Sequence, residues 1–222
     1  MTHAPQPAGG PMRIPTAIFV SGSGTNLQAV IDASREGALP LDLRLVVSNV
    51  SAAYALERAK RADIPAVVMA FDRGREDRAA YALRLARLVR QSGARLVLLL
   101  GWMHVLAQEF LDSGFEGVLN LHPAYLPHDP SADIVVFEDG TQTPVFRGAR
   151  ALRDALAAKV SWTGASLIEI TRHVDRGPLL ARKPMRLFPH EDENAALERL
   201  HEVEREVVRE GIARWLASRQ PA

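Results

Sequence analysis

The chain has 222 residues, of which 47% are hydrophobic and 24% are charged, a composition typical of a folded globular protein rather than of a disordered or membrane-embedded one. Its 27 Lys and Arg against 26 Asp and Glu leave a formal net charge of +1, which predicts no overall attraction to nucleic acid or to an anionic membrane. The absence of Cys excludes disulfide bonds, a thiol nucleophile and a thiolate zinc site, and it is compatible with a cytoplasmic location.

The amino-terminal segment differs in composition from the rest of the chain. Residues 1–11 (MTHAPQPAGGP) are rich in Pro, Gly and Ala, and they have neither the basic start nor the apolar middle of a signal peptide. We therefore expect a flexible tail over residues 1–11 and a single domain over residues 12–222. No apolar run approaches the roughly 18 residues that span a bilayer, so no membrane partner is expected.

The first half of the domain alternates short apolar runs with helical patterns. Strands are predicted at residues 14–21, 41–48, 64–69, 95–100 and 117–121, with helices over residues 27–37, 54–62 and 77–91. Strands that are apolar on both faces, such as RLVLLL, are typical of a parallel sheet covered on both sides. The pattern predicts an α/β protein with a Rossmann-like, mostly parallel sheet flanked by helices.

The second half departs from this alternation. A long connection over residues 123–147 leads to a helix that ends near residue 158, and two further strands are predicted at residues 162–170 and 179–184. The segment HVDRGP between these two strands suits an antiparallel hairpin rather than a crossover. One long helix over residues 193–216 completes the domain.

A glycine-containing turn, SGSGTN at residues 21–26, follows the first strand and opens the first helix. Free backbone amides and the partial positive charge of a helix start favour a phosphate, and glycine lets the ligand approach closely. The alternative is an ordinary tight turn with Ser, Thr or Asn as the helix cap. The turn lacks the Lys of a P-loop and the spacing of a dinucleotide fingerprint, so a monophosphate is favoured over ATP or NAD.

A second polar group, Asn120 with His122, ends the last strand of the first half, at the edge where open α/β sheets bind their ligands. Side chains two residues apart share one face of a strand, so Asn120 and His122 are expected to project together while Leu121 packs on the opposite side. An amide donor beside an imidazole suits the stabilisation of an oxyanion and the movement of a proton. The alternative is a strand-end pair that bonds to nearby backbone.

Two acidic residues are candidate partners for these groups. Asp175 in the hairpin turn is a carboxylate that His122 requires, although turn aspartates commonly bond to their own backbone instead. Glu204 lies inside the apolar stripe of the last helix, where an acid is unusual. It either pairs with a neighbouring Arg or faces a ligand hydroxyl, and the sequence leaves both interpretations open.

Five segments together resemble a known family: FVSGSGTNLQAVID, GWMHVL, NLHPAYLP, HVDRGP and the last helix with Glu204. They are similar, in this order, to the folate-dependent formyltransferases. The NxHP motif with a downstream Asp is shared by the wider family, whereas SGxGxNL is typical of the glycinamide ribonucleotide branch. The resemblance implies the formyltransferase fold and a transferase that moves a formyl group from 10-formyltetrahydrofolate to the amine of glycinamide ribonucleotide in de novo purine biosynthesis, without a metal.

The resemblance also implies roles for individual residues. The catalytic residues would be Asn120, His122 and Asp175. The residues that bind the phosphorylated substrate would be Gly24, Thr25, Asn26, His201, Glu202, Val203 and Glu204. The residues that bind the folate would be Arg78, Met103, His104, Val105, Leu106, Asn120, Thr171, Arg172, His173, Val174 and Asp175. Residues 12–122 would then form a phosphate-binding half and residues 123–222 a folate-binding half. The expected partner is a small molecule with a terminal phosphate rather than a nucleic acid, and the sequence leaves open a monomer or a homodimer.

Three departures from the family pattern stand beside this resemblance. An extra segment, His128–Val145, separates HPAYLP from FRG, Ile168 stands where the family often has His, and His104 occupies a common Arg position. These departures leave two alternatives open. One is a formyltransferase with a different amine acceptor, such as an amino sugar nucleotide or an aminoacyl-tRNA, the latter disfavoured by the lack of a basic extra domain. The other is a catalytically weakened binding protein.

Overall fold

The computed structural model describes residues 13–219, so the tail expected over residues 1–11 lies outside the described residues. The strands are β1 (Ile14–Val20), β2 (Leu41–Ser48), β3 (Ala66–Val68), β4 (Leu96–Leu99), β5 (Gly117–His122), β6 (Ile134–Val136), β7 (Gln142–Pro144), β8 (Trp162–Glu169) and β9 (Leu179–Arg186). The helices are α1 (Thr25–Arg35), α2 (Tyr54–Arg61), α3 (Arg78–Gln91), α4 (Gln108–Leu111), α5 (Ala151–Ala157) and α6 (Glu193–Ala217). Among the helices of this part of the chain, none is long and apolar enough to cross a membrane.

Seven strands form one sheet in the order β3-β2-β1-β4-β5-β8-β9. The pairs from β3 to β5 are parallel, and the pairs β5 with β8 and β8 with β9 are antiparallel. The predicted mostly parallel sheet with an antiparallel hairpin in its second half is therefore confirmed. From β1 the chain adds β2 and β3 on one side and β4 and β5 on the other, so the strand order reverses next to β1. Open sheets bind their ligands beyond the carboxyl ends of the strands at such a point.

Apolar side chains pack on both faces of the sheet, as the continuous apolar strands predict. One layer joins the sheet to α1 and α6 and contains Leu27, Leu121 and Trp215, all of them buried. The other layer joins the sheet to α3 and contains Phe19 and Leu85. Burying a side chain of this size contributes about 1.5–3 kcal/mol, so these two layers hold the strand ends in a fixed position.

The strand predicted at residues 64–69 is shorter in the structure. Only Ala66–Val68 pairs with the sheet, and both of these end residues are exposed. The reason is its place at the edge, because β3 has a neighbouring strand on one side only. An edge strand gains less pairing energy per residue, and short edge strands also limit association with other chains.

The long connection expected over residues 123–147 contains a two-stranded antiparallel ribbon that was not predicted. Strands β6 and β7 form it, apart from the main sheet. Phe137, at the end of β6, stacks on Trp162 of β8 and on Tyr125, with ring centroids 5.7 and 4.8 Å apart. Asp139 accepts a hydrogen bond from the indole nitrogen of Trp162 at 2.8 Å. The extra segment His128–Val145 is thus attached to the side of the domain at β8.

Candidate active site

A cavity of about 480 Å³ opens beyond the carboxyl ends of β1, β4 and β5. The polar groups that the sequence singles out, namely the glycine turn, the Asn120 and His122 pair, Asp175 and Glu204, all contribute to its wall. The cavity is lined by residues 22–26, 99–106, 120–123 and 168 with 170–175, together with Gln108, Leu111, Gly148, Ala149, Leu197, His201 and Glu204. Tertiary structure therefore collects chain segments from both halves of the domain around one space.

The glycine turn has the geometry of an anion site. Gly24 is the residue before α1, has φ 71°, and provides no side chain to cap the helix. A Cβ at this position would lie 2.6 Å from the Cβ of Ala55, so no larger residue fits without a shift. The first hydrogen bond inside α1 joins Gln28 N to Gly24 O at 3.0 Å. The backbone amides of residues 25–27 precede that bond and are the groups with which a helix start binds anions.

Neighbouring side chains support this turn. Arg58 donates from Nε to the carbonyl of Ser23 at 2.8 Å, which places a guanidinium charge beside the turn. The hydroxyl of Ser21 accepts a hydrogen bond from the amide of Met103 at 3.0 Å and donates one to Asn49 at 2.6 Å. These contacts hold the turn against the segment that follows β4, and the positive charge of Arg58 adds to the preference for an anion.

Glu204 is buried and bonded to the helix that begins at this turn. The Asn26 side-chain amide donates to Glu204 Oε2 at 2.7 Å, so the acid pairs with an amide of α1 rather than with an Arg. Burial raises the pKa of Glu204 to about 7, and the hydrogen bond from Asn26 opposes that rise only in part. Among the residues that the structure describes, Asn26 Oδ1 is buried without a hydrogen-bond partner. His201, one turn earlier on α6, is half-buried, and its pKa is lowered by burial and by the charge of Arg205.

Asn120, His122 and Asp175 meet at the end of β5. The Asn120 amide lies 3.4 Å from Asp175 Oδ1, and His122 Nδ1 lies 3.5 Å from Asp175 Oδ2. Both distances exceed the 2.7–3.2 Å of a usual N–H···O hydrogen bond, so the contacts are loose enough for the amide and the imidazole to turn to another partner. The side chains of His122 and Asp175 are 3% and 7% exposed. Bulk water therefore screens their interaction poorly.

The protonation of the His122 ring follows from its second contact. Its Nε2 lies 2.8 Å from the carbonyl oxygen of Phe146, and because a carbonyl only accepts, that nitrogen carries the proton. The other nitrogen, Nδ1, faces the carboxylate of Asp175. The two ring nitrogens of His122 therefore face two different groups, a backbone carbonyl and a carboxylate.

The backbone of the hairpin turn aims Asp175 at the cavity. Asp175 has φ 52°, a left-handed conformation that Asp adopts more easily than most residues. Its Oδ2 accepts from the amide of Gly148 at 2.8 Å, so this carboxylate bonds across the site rather than to its own turn. A Cβ on Gly177 would lie 1.6 Å from the carbonyl oxygen of Glu169. Gly177, two residues after Asp175, is therefore required for the turn to close against β8.

The segments assigned to the folate by resemblance both line the cavity. They are Met103, His104, Val105 and Leu106 after β4, and Thr171, Arg172, His173 and Val174 before Asp175 in the hairpin turn. Met103 and Val105 are exposed by 56% and 59%, a large apolar surface for residues of this kind. Exposed apolar side chains at the wall of a cavity are typical of a surface that packs against a ligand.

Arg78 lies in a neighbouring space. A second cavity of about 260 Å³ is lined by Arg73 and Arg78, and it shares residues 103–106 with the first. His104 lies between the two cavities, and its pKa is lowered by burial and by the charges of Arg78 and Arg73. A neutral imidazole is thus favoured at the position where the family commonly has Arg.

Some predicted site residues lie outside the main cavity, and some cavity residues were not predicted. Glu202 is exposed and Val203 packs against the core, and neither lines the cavity. No residue of the extra segment 128–145 lines it either. Sequence patterns missed the carbonyl of Phe146 and the amide of Gly148, since backbone atoms carry no signal of their own. Across residues 13–219, no group of three His, Asp or Glu side chains is placed to hold a metal ion.

Comparison with known proteins identifies the family of this chain. The family described as formyl transferase matches residues 12–212. The chain belongs to the formyl transferase family. This family uses a folate-derived formyl donor.

Individual proteins with similar sequences or structures indicate the branch of the family. The formyl transferase chain is 31% identical over 207 residues to the phosphoribosylglycinamide formyltransferase of Dictyostelium discoideum, covering 88% of this chain and 94% of that protein. It is 30% identical to the trifunctional purine biosynthetic protein adenosine-3 of Drosophila melanogaster, covering 85% of this chain and 13% of that protein. The crystal structure of glycinamide ribonucleotide transformylase 1 from Symbiobacterium toebii superposes with a TM-score of 0.82 at 28% identity, covering 100% and 96% of the two chains. The resemblance to the glycinamide ribonucleotide branch is thereby confirmed.

Proposed function

We propose that this formyl transferase moves the formyl group of 10-formyltetrahydrofolate to the amine of glycinamide ribonucleotide, a step of de novo purine biosynthesis. One observation carries the proposal: a single cavity is lined at once by the glycine turn at Gly24, by the buried Glu204, and by the cluster of Asn120, His122 and Asp175. The relatives named phosphoribosylglycinamide formyltransferase support the same reaction.

The turn and the last helix are suited to the phosphoribosyl part of the substrate. The amides of residues 25–27 and the guanidinium of Arg58 offer hydrogen bonds and positive charge to a phosphate. Glu204 and the unpaired Oδ1 of Asn26 both accept hydrogen bonds, and ribose hydroxyls donate them. The orphaned oxygen of Asn26 would gain a partner when the sugar binds, which gives the ligand a specific reason to bind there. His201, on the same face of α6, completes this wall.

The remaining walls are suited to the folate. The apolar side chains of Met103, Val105 and Leu106 offer a surface for its flat ring system, and the loop of residues 171–175 lines the same cavity. The second cavity, with Arg73 and Arg78, offers positive charge to the acidic end of a folate. The donor would supply a formyl carbon on its N10 and the substrate the attacking amine, while residues of this chain bind both and stabilise the charges that develop.

The reaction forms a bond between the substrate amine and the formyl carbon and breaks the bond from that carbon to N10. The attacking nitrogen loses a proton and the leaving nitrogen gains one, so the net change balances without an oxidant or a reductant. Charge develops on the formyl oxygen during the attack. The Asn120 amide and the Nδ1–H of a protonated His122, whose contacts with Asp175 are long at 3.4 and 3.5 Å, are suited to turn to that oxyanion and stabilise it.

Asp175 serves the same step through charge and proton transfer. Its carboxylate faces Nδ1 of His122, so its negative charge lies beside the positive charge that the ring would carry in this step. Through a water, Asp175 would also help to pass a proton from the attacking amine to N10. The hydrogen bond from Gly148 N holds the carboxylate in this place during the transfer.

The test is formyl transfer to glycinamide ribonucleotide by the purified full chain, with 10-formyltetrahydrofolate as donor. We expect His122→Ala and Asn120→Ala to lower kcat by about 100-fold or more, because each removes an oxyanion donor. The matched control is His128→Ala, an exposed histidine outside the cavity, which should retain normal activity. Near-normal turnover in a folded His122→Ala protein would refute the assignment of that residue.

One feature of the site favours a second candidate, a formyltransferase with another amine acceptor. Ile168 is buried, lies opposite Asn120 in the pairing of β5 with β8, and lines the cavity with an apolar side chain. Transfer only to a different amine, such as an amino sugar nucleotide, would establish this alternative. Ligand binding without any turnover would indicate a binding protein.

A further inference from the structure

The extra segment 128–145 reaches the reacting groups indirectly, through two arginines. Asp133 lies just before β6 and its carboxylate contacts both of them. Its Oδ1 accepts from Arg147 Nη1 at 2.8 Å and from Arg176 Nη2 at 2.8 Å. The second terminal nitrogen of each guanidinium donates to a backbone carbonyl of the same segment, Arg147 to Ala132 at 2.7 Å and Arg176 to Pro130 at 2.7 Å.

Both arginines are direct chain neighbours of the groups that surround His122. Arg147 stands between Phe146, whose carbonyl accepts from His122 Nε2, and Gly148, whose amide donates to Asp175. Arg176 immediately follows Asp175 in the hairpin turn. A displacement of the backbone at either arginine would therefore move the acceptor on one side of the His122 ring or the carboxylate on the other.

The Asp133 carboxylate offsets the repulsion between the two guanidinium groups. The Asp133 side chain is 74% exposed, and those of Arg147 and Arg176 are 17% and 34% exposed. The aromatic stack of Phe137 on Trp162 and Tyr125 anchors the segment at the opposite end of β6 from Asp133, which limits the movement of Asp133 relative to the domain. An isolated exposed ion pair contributes little to stability. Here, however, one carboxylate is shared by two guanidinium groups, each of which also donates to a backbone carbonyl.

We infer that Asp133 is a positioning residue for the active site. Through Arg147 and Arg176 it holds the Phe146 carbonyl, the Gly148 amide and Asp175 in fixed positions around His122. The expected effect of Asp133 on turnover rests on the proposed function. It gives the extra segment a role in setting the geometry of the reacting groups from outside the cavity. Asp133 touches neither substrate nor folate in this scheme, so substrate binding should depend on it far less than turnover does.

The experiment compares Asp133→Ala and Asp133→Asn with the wild-type chain in the formyl transfer assay. Misplacement of a reacting group by about 1 Å can lower a rate by up to 100-fold, so we expect Asp133→Ala to lower kcat by about 10-fold or more, with KM for both substrates within about 3-fold of wild type. Asp133→Asn keeps an acceptor but not the charge, and it should recover part of the loss. The matched control is Glu138→Gln, which removes one exposed carboxylate from the turn of the same ribbon and should leave kcat unchanged.

A second measurement separates this inference from the proposed function. The ring nitrogen and proton NMR signals of His122 are recorded in the unliganded protein, and they are assigned by their loss in His122→Gln. We expect these signals to shift in Asp133→Ala and to stay in place in Glu138→Gln. If the wild-type chain transfers no formyl group to glycinamide ribonucleotide, the proposed function fails, and the NMR shift alone then supports or overturns the positioning role.

Two results would overturn the inference. One is a kcat for Asp133→Ala equal to that of Glu138→Gln, with His122 signals that do not move. The other is a loss of kcat that accompanies a lower melting temperature while the His122 signals stay in place, because that combination indicates a merely structural role for Asp133.

Discussion

The buried carboxyl of Glu204 makes the stability of the unliganded protein depend on pH. The carboxyl is buried and its hydrogen-bond donor is the amide of Asn26. Burial raises its pKa from 4.5 to about 7, so the folded state binds a proton here more tightly than the unfolded chain does. This group therefore stabilises the fold fully below pH 4.5, and its contribution is lost as pH rises through about 7.

The size of the effect follows from the two pKa values. The gap between 4.5 and about 7 corresponds to roughly 3 kcal/mol, since each tenfold difference in proton affinity is about 1.4 kcal/mol. Most of this effect develops between pH 5 and pH 8. Over that range the free energy of unfolding of the wild-type chain should fall by about 2–3 kcal/mol relative to that of a variant in which residue 204 does not ionise. Glu204→Gln is that variant, because its amide keeps the shape and the acceptor for Asn26 but does not titrate.

The assay is urea unfolding of both proteins at several pH values from 5 to 8, without substrate. We expect the difference in unfolding free energy between Glu204→Gln and wild type to grow with pH by the amount given above. Glu202→Gln, an exposed acid on the same helix, serves as the control and should follow wild type. Curves for wild type and Glu204→Gln that run parallel across this range would refute the raised pKa and the argument from burial.

Two further substitutions test the turn and the carboxylate. Gly24→Ala should lower the free energy of unfolding by about 1–3 kcal/mol and raise KM for glycinamide ribonucleotide, because φ at this residue is 71° and the new Cβ would lie 2.6 Å from the Cβ of Ala55. Thermal melting measures the first effect and steady-state kinetics the second. An unchanged KM would count against the phosphate site. Asp175→Asn should fold normally, since Asn tolerates φ 52°, yet lose about 100-fold or more in kcat. Full activity in this variant would contradict the role of the carboxylate.

Much of the architecture follows from local patterns. The alternation of apolar runs with helical spacing predicts the parallel strands, and HVDRGP predicts the β8–β9 hairpin, because both depend on periods of a few residues along the chain. The common orientation of Asn120 and His122 follows in the same way from the alternation of side chains along a strand. The ribbon β6–β7 was missed because its strands have only three residues each, too few for a period to show.

The candidate site depends on contacts between distant segments. Asn120 and Asp175 are 55 residues apart and Asn26 and Glu204 are 178 residues apart, yet each pair is in contact in the fold. No local pattern selects one interpretation of Glu204 over the other, since its partner is chosen by the packing of α6 against α1. The outward course of the extra segment is likewise decided by the stack of Phe137 on Trp162.

The sequence by itself therefore determined the order of the elements, the sheet with its hairpin, and the residue types that carry the chemistry. Tertiary structure alone decided which of those residues meet, which backbone atoms face His122, and that Asp133 reaches the site through two arginines. The physical reason is that periodicity and turn chemistry act over a few neighbouring residues, whereas a site is assembled by the burial of apolar surface, which brings together residues without regard to their separation along the chain.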